Sequence, residues 1–140
     1  MIYEGVRARL LTREALVGLV GQRIYPLFAP QGAATPFMVY GEVGMESTPS
    51  HSHGGGGLSR TLFRLTIWST SYSEARNIAN MVRDILDGFK GAAGAGTITS
   101  CLRRDERDKL DLPQSGEEAP LYGREADYSI RYEETEPTLG

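Results

Sequence analysis

Residues 47 to 58, STPSHSHGGGGL, hold the residue types best suited to chemistry in this chain: His51 and His53, one residue apart, then Gly54, Gly55, Gly56 and Gly57 in a row. Alternate residues of an extended segment share a face, so both imidazoles can approach one metal ion. Zinc asks for three or four protein ligands. The chain has 2 histidines, and its single cysteine, Cys101, lies far along the sequence. A glycine run cradles phosphate when it leads from a strand into a helix N-terminus. This run leads into a strand pattern, and no Gly-Lys-Ser/Thr follows. The spacing therefore predicts a flexible hairpin tip with solvated histidines, and neither a metal nor a cofactor is expected.

Three other places invite the same question. Cys101 sits inside an apolar strand pattern, where packing is the expected fate; neighbouring Arg103 and Arg104 are the groups able to activate its thiol. The segment RRDERDKLD, Arg103 to Asp111, carries Asp105, Glu106 and Asp108, a carboxylate cluster on paper. Arginines and a lysine alternate with these acids, and no histidine accompanies them, so the reading is a solvated charged turn or an ion-paired subunit contact. Trp68 falls on the strand face opposite Phe63, Leu65 and Ile67. Either a helix covers that face too, or the indole stands at a subunit contact. No Gly-x-Ser-x-Gly elbow marks a nucleophilic serine.

The elements that must position these residues follow from periodicity. Ile2, Val6, Leu10 or Leu11, Ala15, Leu16, Leu19 and Val20 recur at helical spacing, with a break near Thr12, predicting helices at about 2–11 and 13–20. Pro26, Pro30 and Pro36 favour extended chain, with a short edge strand at Ile24–Leu27. Phe37, Val39, Val43 and Met45 alternate with Met38, Tyr40 and Glu42, and Phe63, Leu65 and Ile67 alternate with Arg64, Thr66 and Trp68, predicting two strands. In STSYSEARNIANMVRDILDGFKG, Ser71 and Glu74 form a capping box, Tyr72, Ala75, Ile78, Ala79, Val82, Ile85, Leu86 and Phe89 form an apolar stripe, and Gly88 stops the helix. A strand is expected from Thr97 to Arg104. A last strand places Tyr122, Ala126, Tyr128, Ile130 and Tyr132 on one face and Glu125, Asp127, Ser129 and Arg131 on the other. The expected fold is α+β: a two-layer sandwich, with a twisted, mainly antiparallel sheet of four to five strands and two or three helices on one face. Residues 1–134 form one domain, and 135–140 form a loose acidic tail.

Composition narrows the function. With 140 residues, 40% hydrophobic and 24% charged, the chain is an ordinary globular domain. A net charge of −3 disfavours a general grip on duplex nucleic acid. No apolar run reaches signal-peptide or membrane-span length, so no membrane role is expected.

The chain resembles the phage tail completion proteins, a family related to tail terminators and head-to-tail joining proteins. The likeness runs over roughly residues 5 to 134. It is carried by IYPLFAPQGAATPFMVYGEV, by TIWSTSYSEARNIANMVRDILDGFKG with its strand-to-helix junction, by LRRDERDKL with its DERD turn, and by the Tyr-rich last strand. The resemblance implies a structural, non-enzymatic virion protein. It would be a homo-hexameric ring at the head-proximal end of the tail, assembled in the host cytoplasm. It would meet the major tail tube protein and the head–tail connector or adaptor proteins; a head-side adaptor is the alternative place. Six copies at −3 each carry a summed charge of about −18, which suits DNA passing through the lumen without sequence-specific binding. Expected interaction residues are His51, His53 and Gly54 to Gly57, with Trp68, Arg103, Arg104, Asp105, Glu106, Arg107 and Asp108. The glycine loop is expected to order only against a neighbour.

Overall fold

The computed structural model describes residues 2–47, 59–94, 96–113 and 119–134. Three helices, α1 (Ile2–Leu10), α2 (Glu14–Val20) and α3 (Tyr72–Leu86), accompany six strands: β1 (Ile24–Pro26), β2 (Phe37–Ser47), β3 (Ser59–Ser69), β4 (Gly91–Ala93), β5 (Gly96–Asp111) and β6 (Leu121–Glu134). The strands form one sheet in the order β1-β2-β3-β6-β5-β4. Every pairing is antiparallel except the parallel edge pair β1–β2. The α+β class and the mainly antiparallel sheet stand. The strand count does not: six strands replace the expected four to five, and the sheet is curled, not the face of a flat sandwich. β4 lies in the small-residue segment between α3 and β5, where the sequence pattern predicts no strand.

α3 forms because the body of its stripe, Ala75, Ile78, Ala79, Val82, Ile85 and Leu86, is buried; of the two end members, Tyr72 is exposed, and Phe89, past the end of the helix, is partly buried. Its four large aliphatic residues contribute about 6–12 kcal/mol of burial before entropy is counted. Ser71 caps the helix, its side chain accepting from the Glu74 N–H. The return half of the box is routed differently from the expected one. Ser69 Oγ donates to Glu74 Oε1 at 2.7 Å and accepts the Ser71 N–H at 3.0 Å, so a second serine completes the cap. Gly88, φ +84°, turns the chain out of the helix, as glycine does without a Cβ penalty.

The core lies between the helices and one face of the sheet. Ile2, Val6, Leu10, Leu16 and Val20 from α1 and α2 join α3 against Met38, Tyr40, Phe63, Leu65, Ile67, Ile98, Cys101, Ala126, Tyr128, Ile130 and Tyr132. α1 sits close to β4: a Cβ at Gly5 would stand 2.3 Å from the Ala93 carbonyl carbon. Only glycine permits that approach.

The largest departure from the sequence reading is β5. Expected to end at Arg104 and give way to a charged turn, it runs on to Asp111, paired with β6 along the way. The DERD segment is therefore strand. Two irregularities, between Ile98 and Ser100 and between Arg103 and Asp105, each insert one residue, Thr99 and Arg104. Each bulge exchanges the faces of the residues that follow it. The first lets Ile98 and Cys101 both reach the core. The second turns Glu106 and Asp108 to the helix side and Asp105 and Arg107 to the other.

Candidate functional site

The face of the sheet away from the helices carries a network of charged side chains built across three strands. Register sets Arg64 of β3 beside Asp127 of β6, and Arg107 of β5 beside Glu125 of β6. Arg64 grips Asp127 with two hydrogen bonds, Nε to Oδ1 at 2.8 Å and Nη2 to Oδ2 at 3.1 Å. Arg107 bridges three acids: Asp127 Oδ2 at 2.9 Å, Glu125 Oε1 at 2.8 Å and Asp105 Oδ2 at 2.7 Å. Thr66 donates to Glu125 Oε2 at 3.0 Å. Glu125 and Asp127 are 7% and 6% exposed, an unusual burial for acids on a face that no described helix covers; the arginines make it tolerable. Burial pushes the Asp127 carboxyl up, but the hydrogen bonds from Arg64 and Arg107 outweigh it and hold the group below the usual carboxylate range.

A second cluster lies on the helix side of the same strands. Arg124 donates to Glu106 Oε2 through Nε at 3.0 Å and Nη2 at 2.7 Å, and to Asp108 Oδ1 at 2.7 Å. Tyr72, the first residue of α3, donates to Asp108 Oδ2 at 2.7 Å, and Arg76 reaches the Tyr72 hydroxyl at 3.1 Å. The Tyr72 hydrogen bond and then that from Arg124 hold the Asp108 carboxyl below its ordinary value. This cluster ties the start of α3 to the far end of β5 and β6.

The six charge-run residues expected to meet a partner are thus placed individually. Glu106, Arg107 and Asp108 are committed within the chain to β6 and α3, while Asp105, its side chain largely exposed, accepts from Arg107 of its own strand. Arg103 lies near Glu106, its Nη1 3.4 Å from Oε2, and its backbone N–H donates to Asp87. The side chain of Arg104, the bulge residue, makes no hydrogen bond or ion pair among the described residues and is exposed. His51, His53 and Gly54 to Gly57 lie outside the described residues. Cys101 is buried at 1% exposure, and burial pushes its thiol up to about 12, so the thiolate needed for reactivity is suppressed.

Trp68 lies on the face of Thr66 and Arg64, so the alternative in which a helix covers it is overturned. The indole rests instead over Gly123 of β6, where a Cβ would come within 2.8 Å of Cζ3. It helps line a hollow of about 360 Å³ with Leu27, Phe28, Phe37, Val39 and Leu121. A neighbouring hollow of about 450 Å³ runs from Leu27 and Val39 to Arg64 and Glu125. Leu27 and Phe28, 76% and 74% exposed, form the rim. Leu27 holds a left-handed backbone, φ 68°, that a leucine rarely adopts. Sequence reasoning passed over both residues, because the Pro-rich segment carries no periodic signal.

Comparison with known proteins identifies the class of protein that carries this charged, apolar-rimmed sheet face. A family model described as Tail completion protein gp17 matches residues 4–133, so the chain belongs to that family. No curated protein matches the chain. Among solved structures, a chain described as "Virion of native gene transfer agent (GTA) particle" has 19% sequence identity to this one. It covers 91% of both chains with a TM-score of 0.63, a likeness of fold.

Proposed function

We propose that the chain is a tail-terminator subunit. Six copies close a ring that caps the head-proximal end of the tail tube and joins it to the head connector. One face of the ring meets the major tail tube protein and the other the head–tail connector or adaptor proteins, while DNA passes through the lumen without sequence-specific contacts. The role is structural and not enzymatic, with no cofactor, and residues 1–134 act as one unit. The observation that carries this reading is the family match over residues 4–133, which takes in nearly the whole α+β unit and not an isolated motif. The charged groups of the sheet support it: they are paired with one another, as in a rigid building block.

The test is removal of the gene from a particle-producing strain. Loss of the chain should give tail tubes of uncontrolled length and heads without tails, and particle imaging should place the restored protein at the junction. Tails of normal length without the chain refute the terminator role. Contact with head proteins alone makes it a head-side adaptor.

A further inference from the structure

The two edges of the sheet are each covered for only three residues, at diagonally opposite corners. On one side β1 pairs with Met38, Val39 and Tyr40, and no described strand flanks β2 from Gly41 to Ser47. On the other, β4 pairs with Gly96, Thr97 and Ile98. Next to it, Gly88 donates to Cys101 O at 2.7 Å and Asp87 takes the Arg103 N–H at 3.0 Å. From Arg104 to Asp111 no described strand lies along the outer edge of β5, the one turned away from β6. A strand edge with open N–H and C=O groups is a template for another strand.

The exposed large apolar side chains fall along these same two edges. Leu27, Phe28 and Val43 flank β1 and β2; Leu102, Leu110 and Leu112 lie on or just past β5, with Tyr72 beside them over Asp108. The edges are also matched in direction. β2, β3, β6 and β5 are successively antiparallel, so β5 runs opposite to β2. A second copy set beside the first in the same orientation therefore brings its β2 antiparallel to the first copy's β5.

We propose that the Arg104–Asp111 edge of β5 pairs antiparallel with the Gly41–Ser47 edge of β2 in a second copy of this chain. The register fixes the stagger. Glu106 of β5 is level with Tyr40 of β2, through Ala126 and Leu65. Bringing the two open stretches together slides the second copy along the strands by five to six residues, about 18 Å. That slide puts β4 beyond the end of the neighbour's β2, and the neighbour's β1 beyond Asp111, so neither short strand is displaced. It also sets Leu27 and Phe28 of one copy beside Leu110 and Leu112 of the next. Six strands span about 29 Å, so a ring without net axial rise needs strands tilted by about 30°, in the range closed sheets adopt. The joined edges are unlike, so each added copy still offers one of each, and the contact propagates until rotation closes it. The pairing deepens the ring reading and rests on it for its setting in the tail.

The test uses two full-length variants: Leu110→Asp with Leu112→Asp, and Leu27→Asp with Phe28→Asp. All four side chains are exposed, so unchanged thermal unfolding should confirm the fold. Native mass spectrometry and sedimentation should show wild-type rings, and each variant alone should associate at least tenfold more weakly. An equimolar mixture should form 1:1 dimers and nothing larger, since one intact junction remains and cannot propagate. Failure of the mixture to pair, or ring formation by either variant, overturns the proposal. So does a wild type that stays monomeric at millimolar concentration while entering particles, a result that leaves the tail-completion reading standing. Variants that form rings but fail to enter particles would assign the strips to another tail protein. Wild-type rings absent from particles would defeat the tail reading and spare the pairing.

Discussion

The tight seat of α1 against β4 at Gly5 offers a test in which one substitution acts with opposite sign at two positions. Replacing a glycine inside a helix by alanine ordinarily stabilises by about 1 kcal/mol. Gly18, in α2, is exposed, and a Cβ there meets nothing within 4 Å. Gly18→Ala should therefore gain about 0.5–1 kcal/mol, raising the unfolding midpoint by about 2–3 °C. At Gly5 the new Cβ meets Ala93 C at 2.3 Å, Ala93 O at 2.5 Å and Gly94 N at 2.5 Å. These are backbone atoms and cannot rotate aside. To restore ordinary contact α1 must withdraw by about 1 Å, loosening Ile2, Val6 and Leu10, each at most 1% exposed. Overpacking of this kind costs about 1–3 kcal/mol or more and loosened core contacts add to it, so Gly5→Ala should lose about 2 kcal/mol net of the helix gain. Urea unfolding followed by the fluorescence of Trp68, the single tryptophan, reads both variants. Adding Ala93→Gly should not rescue Gly5→Ala, because the obstructing atoms remain. A Gly5→Ala midpoint at or above wild type would refute the packing of α1 on β4, as would rescue by Ala93→Gly.

The remaining predictions concern the charged face, the strained rim and the thiol. Asp127→Asn removes the carboxylate shared by Arg64 and Arg107 and should cost about 1–3 kcal/mol at pH 7. Because the folded Asp127 is held below its ordinary value, its contribution is complete above about pH 4 and is lost as pH falls through the lower folded value. The gap in melting temperature between wild type and Asp127→Asn should thus shrink toward pH 2–3; a constant gap counts against the network. Leu27→Asn suits the left-handed backbone at φ 68° and gives up little burial, so it should raise stability by about 0.5–1 kcal/mol, and a lower melting temperature contradicts the strain. Native Cys101 should react with an aromatic disulfide reagent only as fast as the chain opens; rapid stoichiometric labelling would disprove its burial.

Much of the fold is legible in local pattern. α3 is, because its stripe, its Ser71 cap and its Gly88 stop are all written within one stretch and need no partner to be recognised. The alternation of β3 and of β6 is legible for the same reason, and the packed fate of Cys101 is legible in the apolar strand pattern around it. The end of β5 is not. In isolation, Arg103 to Asp111 alternates charge of both signs, a pattern that a solvated turn shares. It is strand only because β6 supplies the backbone pairing and the opposite charges: Glu125 and Asp127 on one face, Arg124 on the other. β4 escapes because three small residues carry no periodicity; it exists where α1 and β5 together make a place for it. Leu27 and Phe28 escape because exposure at an edge leaves no trace in composition.

The sequence by itself determined which stretches are amphipathic and with what period, and so the α+β class, the helix termini and a core face for β3 and β6. It determined these because a repeat of 3.6 or 2 residues selects one local geometry. Only the tertiary structure decided which charge faces which. Two inserted residues, Thr99 and Arg104, reverse the faces of β5, and a bulge is a compromise between two strands that neither records alone. Only the tertiary structure, too, decided that β1 and β4 stop after three residues and leave unlike edges open at opposite corners. The free edge of a sheet is set by how far its neighbours extend, which is a property of the assembled strands and not of any one of them.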